Sequence, residues 1–214
     1  GAAGAIATKH LAKKGAKNIA FIGTGIQAHT QLMAHKEVMK IEKAYAVDQN
    51  AESAKRFVEF AKSFGISCEV ADGATACRNA DVLITTTPVH QPIVKNEWIH
   101  PGMHINAIGA DAPGKEELDP EIMRRAKIVI DDWEQASHSG EINVPISKKI
   151  ISRKDIAAEL GDIVAGKKGA RTSDADITIF DSTGLGIQDI VTATLVLNKA
   201  KAQNKGFKVK LATV

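Results

Sequence analysis

Between Asn18 and Ala28 a short apolar run, Ala20-Phe21-Ile22, passes directly into Gly23-Thr24-Gly25-Ile26-Gln27-Ala28, and a helical pattern begins behind it. The pattern is G-x-G-x-x-A. Its first glycine permits a tight turn, its second lets the backbone approach a pyrophosphate, and the small third residue lets helix and strand pack closely. The first N–H groups of such a helix face phosphate oxygens. Asp48 closes the next apolar run, about 20 residues on, where a carboxylate can bond ribose hydroxyls. A carboxylate also repels a 2′-phosphate, and Gln49-Asn50 bring no Lys or Arg beside it. The expected cofactor is therefore NAD rather than NADP. The competing reading, a glycine turn in another kind of α/β protein with a surface aspartate by chance, is disfavoured by the position of the turn between strand and helix.

Ligands of open α/β sheets sit beyond the carboxyl ends of the strands, so the residues after each apolar run matter. They are Thr85-Thr86-Thr87-Pro88, then Ala107-Ile108-Gly109-Ala110-Asp111-Ala112-Pro113-Gly114-Lys115, then Asp181-Ser182-Thr183-Gly184-Leu185-Gly186. Small and hydroxyl-bearing residues there admit a flat nicotinamide and its ribose. Asp111 is the only carboxylate in the second loop; it is a candidate for chemistry, or an aspartate that stabilises a turn. Other sites fail. Pro101-Gly102 between His100 and His104 denies that pair one helical face, and His29 and His35 are read as decorating a helix. There is no G-x-S-x-G elbow and no Cys-x-x-Cys, so neither a hydrolase nor a metal site is expected. The lysines at 199, 201, 205, 208 and 210 read as a solvated basic tail.

These loops need a scaffold, and the hydrophobic pattern supplies one. Strands are predicted at 18–22, 42–47, 66–70, 81–85, 104–108, 127–130 and 176–180, with helices at 2–14, 26–39, 51–64, 73–80, 121–125 and 186–202. The helix at 51–64 carries an apolar stripe of Ala54, Phe57, Val58, Ala61 and Phe64. Asp119-Pro120 is an N-cap followed by proline at the first helical position. Alternation of this kind predicts an α/β, doubly wound, mostly parallel sheet of the Rossmann dinucleotide-binding type, closed by a long C-terminal helix.

The 214 residues carry a net charge of +3, with the basic residues scattered, and only 4% are aromatic. That composition excludes disordered and disulfide-rich classes and gives no field or stacking platform for nucleic acid. Cys68 and Cys77 are too few for a disulfide framework, which points to a reducing, cytoplasmic setting. The longest uncharged stretch, 18–35, holds too many polar residues to span a membrane. The chain opens Gly-Ala-Ala-Gly, which reads as a processed chain or a piece of a longer one.

The run Gly23-Thr-Gly-Ile-Gln-Ala-His-Thr-Gln31, the Thr-Thr-Thr-Pro of 85–88, His104-Ile-Asn-Ala-Ile-Gly-Ala-Asp-Ala-Pro-Gly-Lys115 and Phe180-Asp-Ser-Thr-Gly-Leu-Gly-Ile-Gln-Asp189 together resemble the ornithine cyclodeaminase/mu-crystallin family. Asp131-Asp132-Trp-Glu-Gln-Ala-Ser-His-Ser-Gly-Glu-Ile-Asn143 is similar to its archaeal-type alanine dehydrogenase branch. The resemblance implies that residues 23–28 hold the pyrophosphate and Asp48 the adenosine ribose. It further implies that Thr85, Thr86, Ala107, Ile108 and Gly109 line the nicotinamide ribose and ring, with Ser182, Thr183 and Gly184 close by. Asp111 matches the family's active-site aspartate. The implied activity is NAD-dependent oxidation of a small amino acid, L-alanine first, to a 2-oxo acid and ammonium, in a homodimer. Cyclisation of ornithine to proline, or nucleotide binding without turnover, are the alternatives within the family. Family members also carry an N-terminal region that builds most of the substrate pocket, and no positions here match it. Residues 1–189 are therefore expected to form the dinucleotide-binding domain. Residues 190–214 would pack on the missing region and leave Ile190, Leu195 and Leu197 exposed, and the chain alone would bind NAD weakly and turn over alanine poorly.

Overall fold

The computed structural model describes residues 1–207 and 209. Two compact units are present, Gly1–Thr183 and Gly184–Val214. The first contains α1 (Ala2–Leu11), β1 (Asn18–Ile22), α2 (Ile26–His35), β2 (Lys43–Val47), α3 (Ala51–Lys62), β3 (Ser67–Val70), α4 (Gly73–Asn79), β4 (Val82–Thr85) and β5 (His104–Ala107). It continues through α5 (Pro120–Met123), β6 (Ala126–Ile130), α6 (Trp133–Ser139), α7 (Asn143–Ser147), β7 (Ile156–Glu159), α8 (Leu160–Val164) and β8 (Ile177–Asp181). The eight strands form one sheet in the order β3-β2-β1-β4-β5-β8-β6-β7, and every pairing is parallel. The doubly wound expectation holds, with a strand order that reverses between β1 and β4.

Successive strand residues point to opposite faces, and here both faces are covered. Ile19, Phe21, Val82 and Ile84 pack with Ala28 and Leu32 of α2 and Phe57 of α3; Ala20, Ile22, Leu83, Ile105, Ala107 and Ile179 pack on the other side with Ala76 and Cys77 of α4. A smaller cluster joins Ala7 and Leu11 of α1 to Val129, Phe180 and α8. Parallel strands covered on both faces read as continuous apolar runs, which is why the central strands were legible. Asn50 caps α3, accepting from the N–H groups of Glu52 and Ser53, a contact worth about 1 kcal/mol. Asp119 caps α5 ahead of Pro120 as predicted.

Several expectations need correction. The strand β7 and the helices α6, α7 and α8 were not foreseen. Phe64 lies beyond the end of α3 and is exposed, unlike the rest of its stripe. The helices α1 and α2 stop at Leu11 and His35, earlier than predicted. His35 does not decorate a surface: it is fully buried. Its Nδ1 bonds the Gln31 carbonyl at 2.7 Å, and Nε2 accepts the Thr8 hydroxyl at 2.9 Å. Asn106 Nδ2 in turn donates to Thr8 Oγ1 at 2.8 Å, so α1 is pinned to β5 through polar contacts. Burial pushes His35 down to about 4 and His104 down to about 3.

The second unit holds α9 (Gly186–Ala202), on which Ile187, Ile190, Val191, Leu195, Val196 and Leu197 are exposed. Of the basic tail, Lys208 and Lys210 lie outside the described residues. Among the described residues, no helix is long and apolar enough to cross a membrane, and no group of three acidic, His or Cys side chains is placed to hold a metal.

Candidate functional site

All eight strands run the same way, so the loops after β1, β2, β4, β5 and β8 emerge along one edge of the sheet. At the first of them Gly23 has φ +86°, and its N–H donates to the Val47 carbonyl at 2.9 Å. A Cβ there would fall 2.7 Å from Thr87 Cγ2 and 2.9 Å from the Thr86 carbonyl oxygen. Glycine is required both for the left-handed turn and for this approach of β4. Thr86 Oγ1 closes the contact by donating to the Gly23 carbonyl at 2.9 Å.

Gly25 differs. Its φ of −73° is ordinary, and a Cβ would meet nothing within 4 Å. It stands at the start of α2, whose first turn has no side-chain cap, while α3, α4, α5 and α6 are capped by Asn50, Asp72, Asp119 and Asp132. Gly25, Ile26 and Gln27 are exposed, whereas Ala28 is fully buried against the sheet. The turn thus pairs open space with unclaimed N–H donors, the combination that receives an anion.

Asp48 faces this turn from the end of β2. Its Oδ2 accepts from the N–H and the hydroxyl of Thr24, both at 2.8 Å, and its Oδ1 from the N–H of Asn50 at 2.8 Å. Partial burial opposes its charge, but these bonds and the nearby Arg56 outweigh that and hold the carboxyl below its ordinary pKa. Gly23, Thr24, Asp48 and Thr86 are therefore one connected group.

The other predicted positions of the first unit follow β4, β5 and β8 along the same edge. The N–H of Ile108 donates to the Thr85 carbonyl at 3.0 Å, and that of Ser182 to the Ala107 carbonyl at 3.0 Å. Thr183 gives its N–H and hydroxyl to Asp131 at 2.6 and 2.9 Å. Gly184 has φ +79° and begins the second unit. Asp111 is exposed, and its carboxylate pairs with Lys115 Nζ at 2.5 Å.

The sequence reading missed Glu117. Fully buried, it accepts from Thr85 Oγ1 at 2.7 Å, from the N–H and hydroxyl of Thr87 at 2.7 Å each, and from the Gly109 N–H at 2.9 Å. Burial raises its pKa against the pull of those four donors. The one sequence signal was Gly109, where a Cβ would lie 2.6 Å from Glu117 Oε2.

An all-parallel sheet flanked by helices, with a glycine turn at the reversal of strand order, defines a Rossmann-type α/β protein. Residues 1–204 match the ornithine cyclodeaminase/mu-crystallin family, and the chain belongs to it. It is 51% identical over 210 residues to alanine dehydrogenase of Archaeoglobus fulgidus, a match covering 98% of this chain and 65% of that protein. The solved archaeal alanine dehydrogenase dimer with bound NAD superposes with a TM-score of 0.95 at 50% identity, over 98% of this chain and 65% of that one. The Thermococcus litoralis Δ1-pyrroline-2-carboxylate reductase, solved with NADH and L-proline, gives 0.94 at 40% identity, over 97% and 65%. The chain thus spans about 65% of the length of these relatives.

Proposed function

We propose that this chain is the NAD-binding part of an oxidoreductase acting on a small amino acid, with L-alanine, NAD and water as substrates and pyruvate, ammonium and NADH as products. The observation that carries the reading is the glycine turn at the head of α2. Space for a Cβ is left open at Gly25, the helix N-terminus is uncapped, and Asp48 stands beside it with a carboxylate that favours its charged form. A pyrophosphate fits the first two features and an adenosine ribose the third. The relatives solved with NAD and NADH support the same cofactor, which when bound accepts or returns the hydride.

In this reading Gly25, Ile26, Gln27 and Ala28 present N–H groups to the phosphates, Gly23 lets β4 approach, and Asp48 selects an unphosphorylated ribose. Thr85, Thr86, Ala107, Ile108 and Gly109 shape the nicotinamide end, with Ser182, Thr183 and Gly184 assigned beside them from the family pattern. Asp111 is assigned the active-site role. Its carboxylate, held by Lys115, orients or exchanges a proton with the water that adds to the imine carbon during oxidation, or with the ammonia that adds to the 2-oxo carbon in the reverse direction. Residues 190–214 are assigned to packing against a substrate and dimerisation region, in a homodimeric whole protein.

Calorimetric titration of the chain with NADH and with NADPH tests the proposal. NADH is expected to bind at least tenfold more tightly, a difference of about 1.4 kcal/mol. Tighter binding of NADPH overturns the role of Asp48, and binding of neither overturns the reading as a whole. With NADH, pyruvate and ammonium supplied, turnover by this chain alone is expected to be slow or absent.

A further inference from the structure

Three carboxylates are buried in series behind the strand ends of the candidate site. Asp181, the last residue of β8, accepts from the N–H groups of Glu141 at 2.9 Å and Ile142 at 3.0 Å. The Glu141 carboxylate accepts from the N–H of Glu117 at 2.9 Å and of Leu118 at 2.7 Å. The Glu117 carboxylate then spends its bonds on the ends of β4 and β5. Two of its donors come from Thr87, one from Thr85 and one from Gly109, which fills the roughly four acceptor positions that a carboxylate offers.

Two glycines admit this series. A Cβ on Gly109 would fall 2.3 Å from the Thr87 carbonyl oxygen, and one on Gly140 would fall 2.5 Å from Asp181 Oδ2. Burying three acids is costly, and apolar side chains would fasten the same loops at less cost. What apolar packing does not supply is directional hold on individual backbone N–H groups.

We infer that Glu117 is a positioning residue for the nicotinamide end of the candidate site: it fixes the separation of Thr85–Thr87 from Gly109, and Glu141 and Asp181 hold it in register with β8. Thr85 is fully buried with its hydroxyl committed to Glu117, so it acts through that carboxylate rather than by touching a ligand. The inference rests on the dinucleotide-binding reading, which places the nicotinamide at these strand ends and the adenosine at the ends of β1 and β2.

That geography supplies the test. Glu117→Gln places an amide NH2 where N–H donors already point, which forces the two strand ends to shift. NADH and ADP, which lacks both the nicotinamide and its ribose, are titrated against the unaltered chain and the variant, with a thermal melt to establish folding. The variant is expected to bind NADH about tenfold more weakly, the cost of one charge-assisted hydrogen bond, while ADP affinity stays within about twofold. Should E117Q fail to fold, Thr87→Val, which removes one of the four donors, is expected to show the same selective loss on a smaller scale. Equal weakening of both ligands assigns Glu117 a general structural role and overturns the inference, as does unchanged NADH affinity. If the unaltered chain binds neither ligand, the functional reading itself has failed and the inference falls with it.

Discussion

Gly23 and Gly25 are two residues apart in one motif, yet the structure assigns them opposite jobs, and paired alanine substitutions separate the two. At Gly25 the backbone is in an ordinary region and the added methyl meets nothing. Alanine is a poorer N-cap than glycine by up to about 1 kcal/mol, while the loss of unfolded-chain freedom returns about 0.4–1 kcal/mol. These nearly cancel, so Gly25→Ala is expected to melt within a few degrees of the parent, at about 2–4 °C per kcal/mol for this size. Its methyl, however, occupies the space a phosphate oxygen needs. Loss of one or two charge-assisted hydrogen bonds, about 1.5–3 kcal/mol each, predicts roughly 100-fold weaker NADH binding. At Gly23 the left-handed turn costs an alanine about 1–2 kcal/mol. Its methyl also collides with Thr87 and with the Thr86 carbonyl, endangering the Thr86-to-Gly23 hydrogen bond, worth about 1 kcal/mol. Gly23→Ala should therefore lose about 3 kcal/mol and melt roughly 6–12 °C lower. Thermal melts and NADH fluorescence titrations of both variants decide the matter. Parental NADH affinity in G25A, or a loss of melting temperature matching that of G23A, would refute the assignment.

Buried His35, held down to about 4, stays neutral in the folded chain while the unfolded chain takes up its proton near 6.5. Its stabilising contribution is therefore complete above about pH 6.5 and lost as pH falls through 4, by about 3 kcal/mol. Denaturant midpoints measured from pH 7 to 4 should fall more for the parent than for His35→Gln; parallel curves would contradict this. Asp181, raised to about 7 by burial, works in the opposite sense, stabilising at low pH and losing that contribution as pH rises towards 7. Cys68 and Cys77 are buried, with their thiols pushed up to about 11 and about 12. At neutral pH a disulfide-exchange reagent is expected to label both at the unfolding rate, and faster labelling of Cys77 would count against its burial.

The central sheet was legible because strands covered on both faces are written as unbroken apolar runs: Ile19-Ala-Phe-Ile22 and Val82-Leu-Ile84 admit little else. Edge strand β7 was not, since only Ala158 of its four residues is buried and so short a segment carries no periodicity. The glycine turn and Asp48 could be read from local spacing, because their geometry is local. Glu116-Glu117 beside Lys115 and Glu141 beside Gly140 look in sequence like solvated charge. Their burial arises only when loops distant in the chain converge behind β4, β5 and β8. His35 was misread for a related reason: its partners Thr8 and Asn106 come from α1 and β5, neither adjacent in sequence.

The strand order also constrains the order of events during synthesis. Strands β1 to β5 can pair as they emerge from the ribosome, and so can β6 with β7. Joining the two sets waits for β8, which pairs with β5 on one side and β6 on the other. Until Ile177–Asp181 has been made, the growing chain carries two incomplete sheets with open edges facing a gap one strand wide, an interval in which another strand could pair in its place. Asp181, in the same strand, accepts the N–H groups of Glu141 and Ile142, so the strand that joins the two halves of this sheet also locks the loops behind the strand ends.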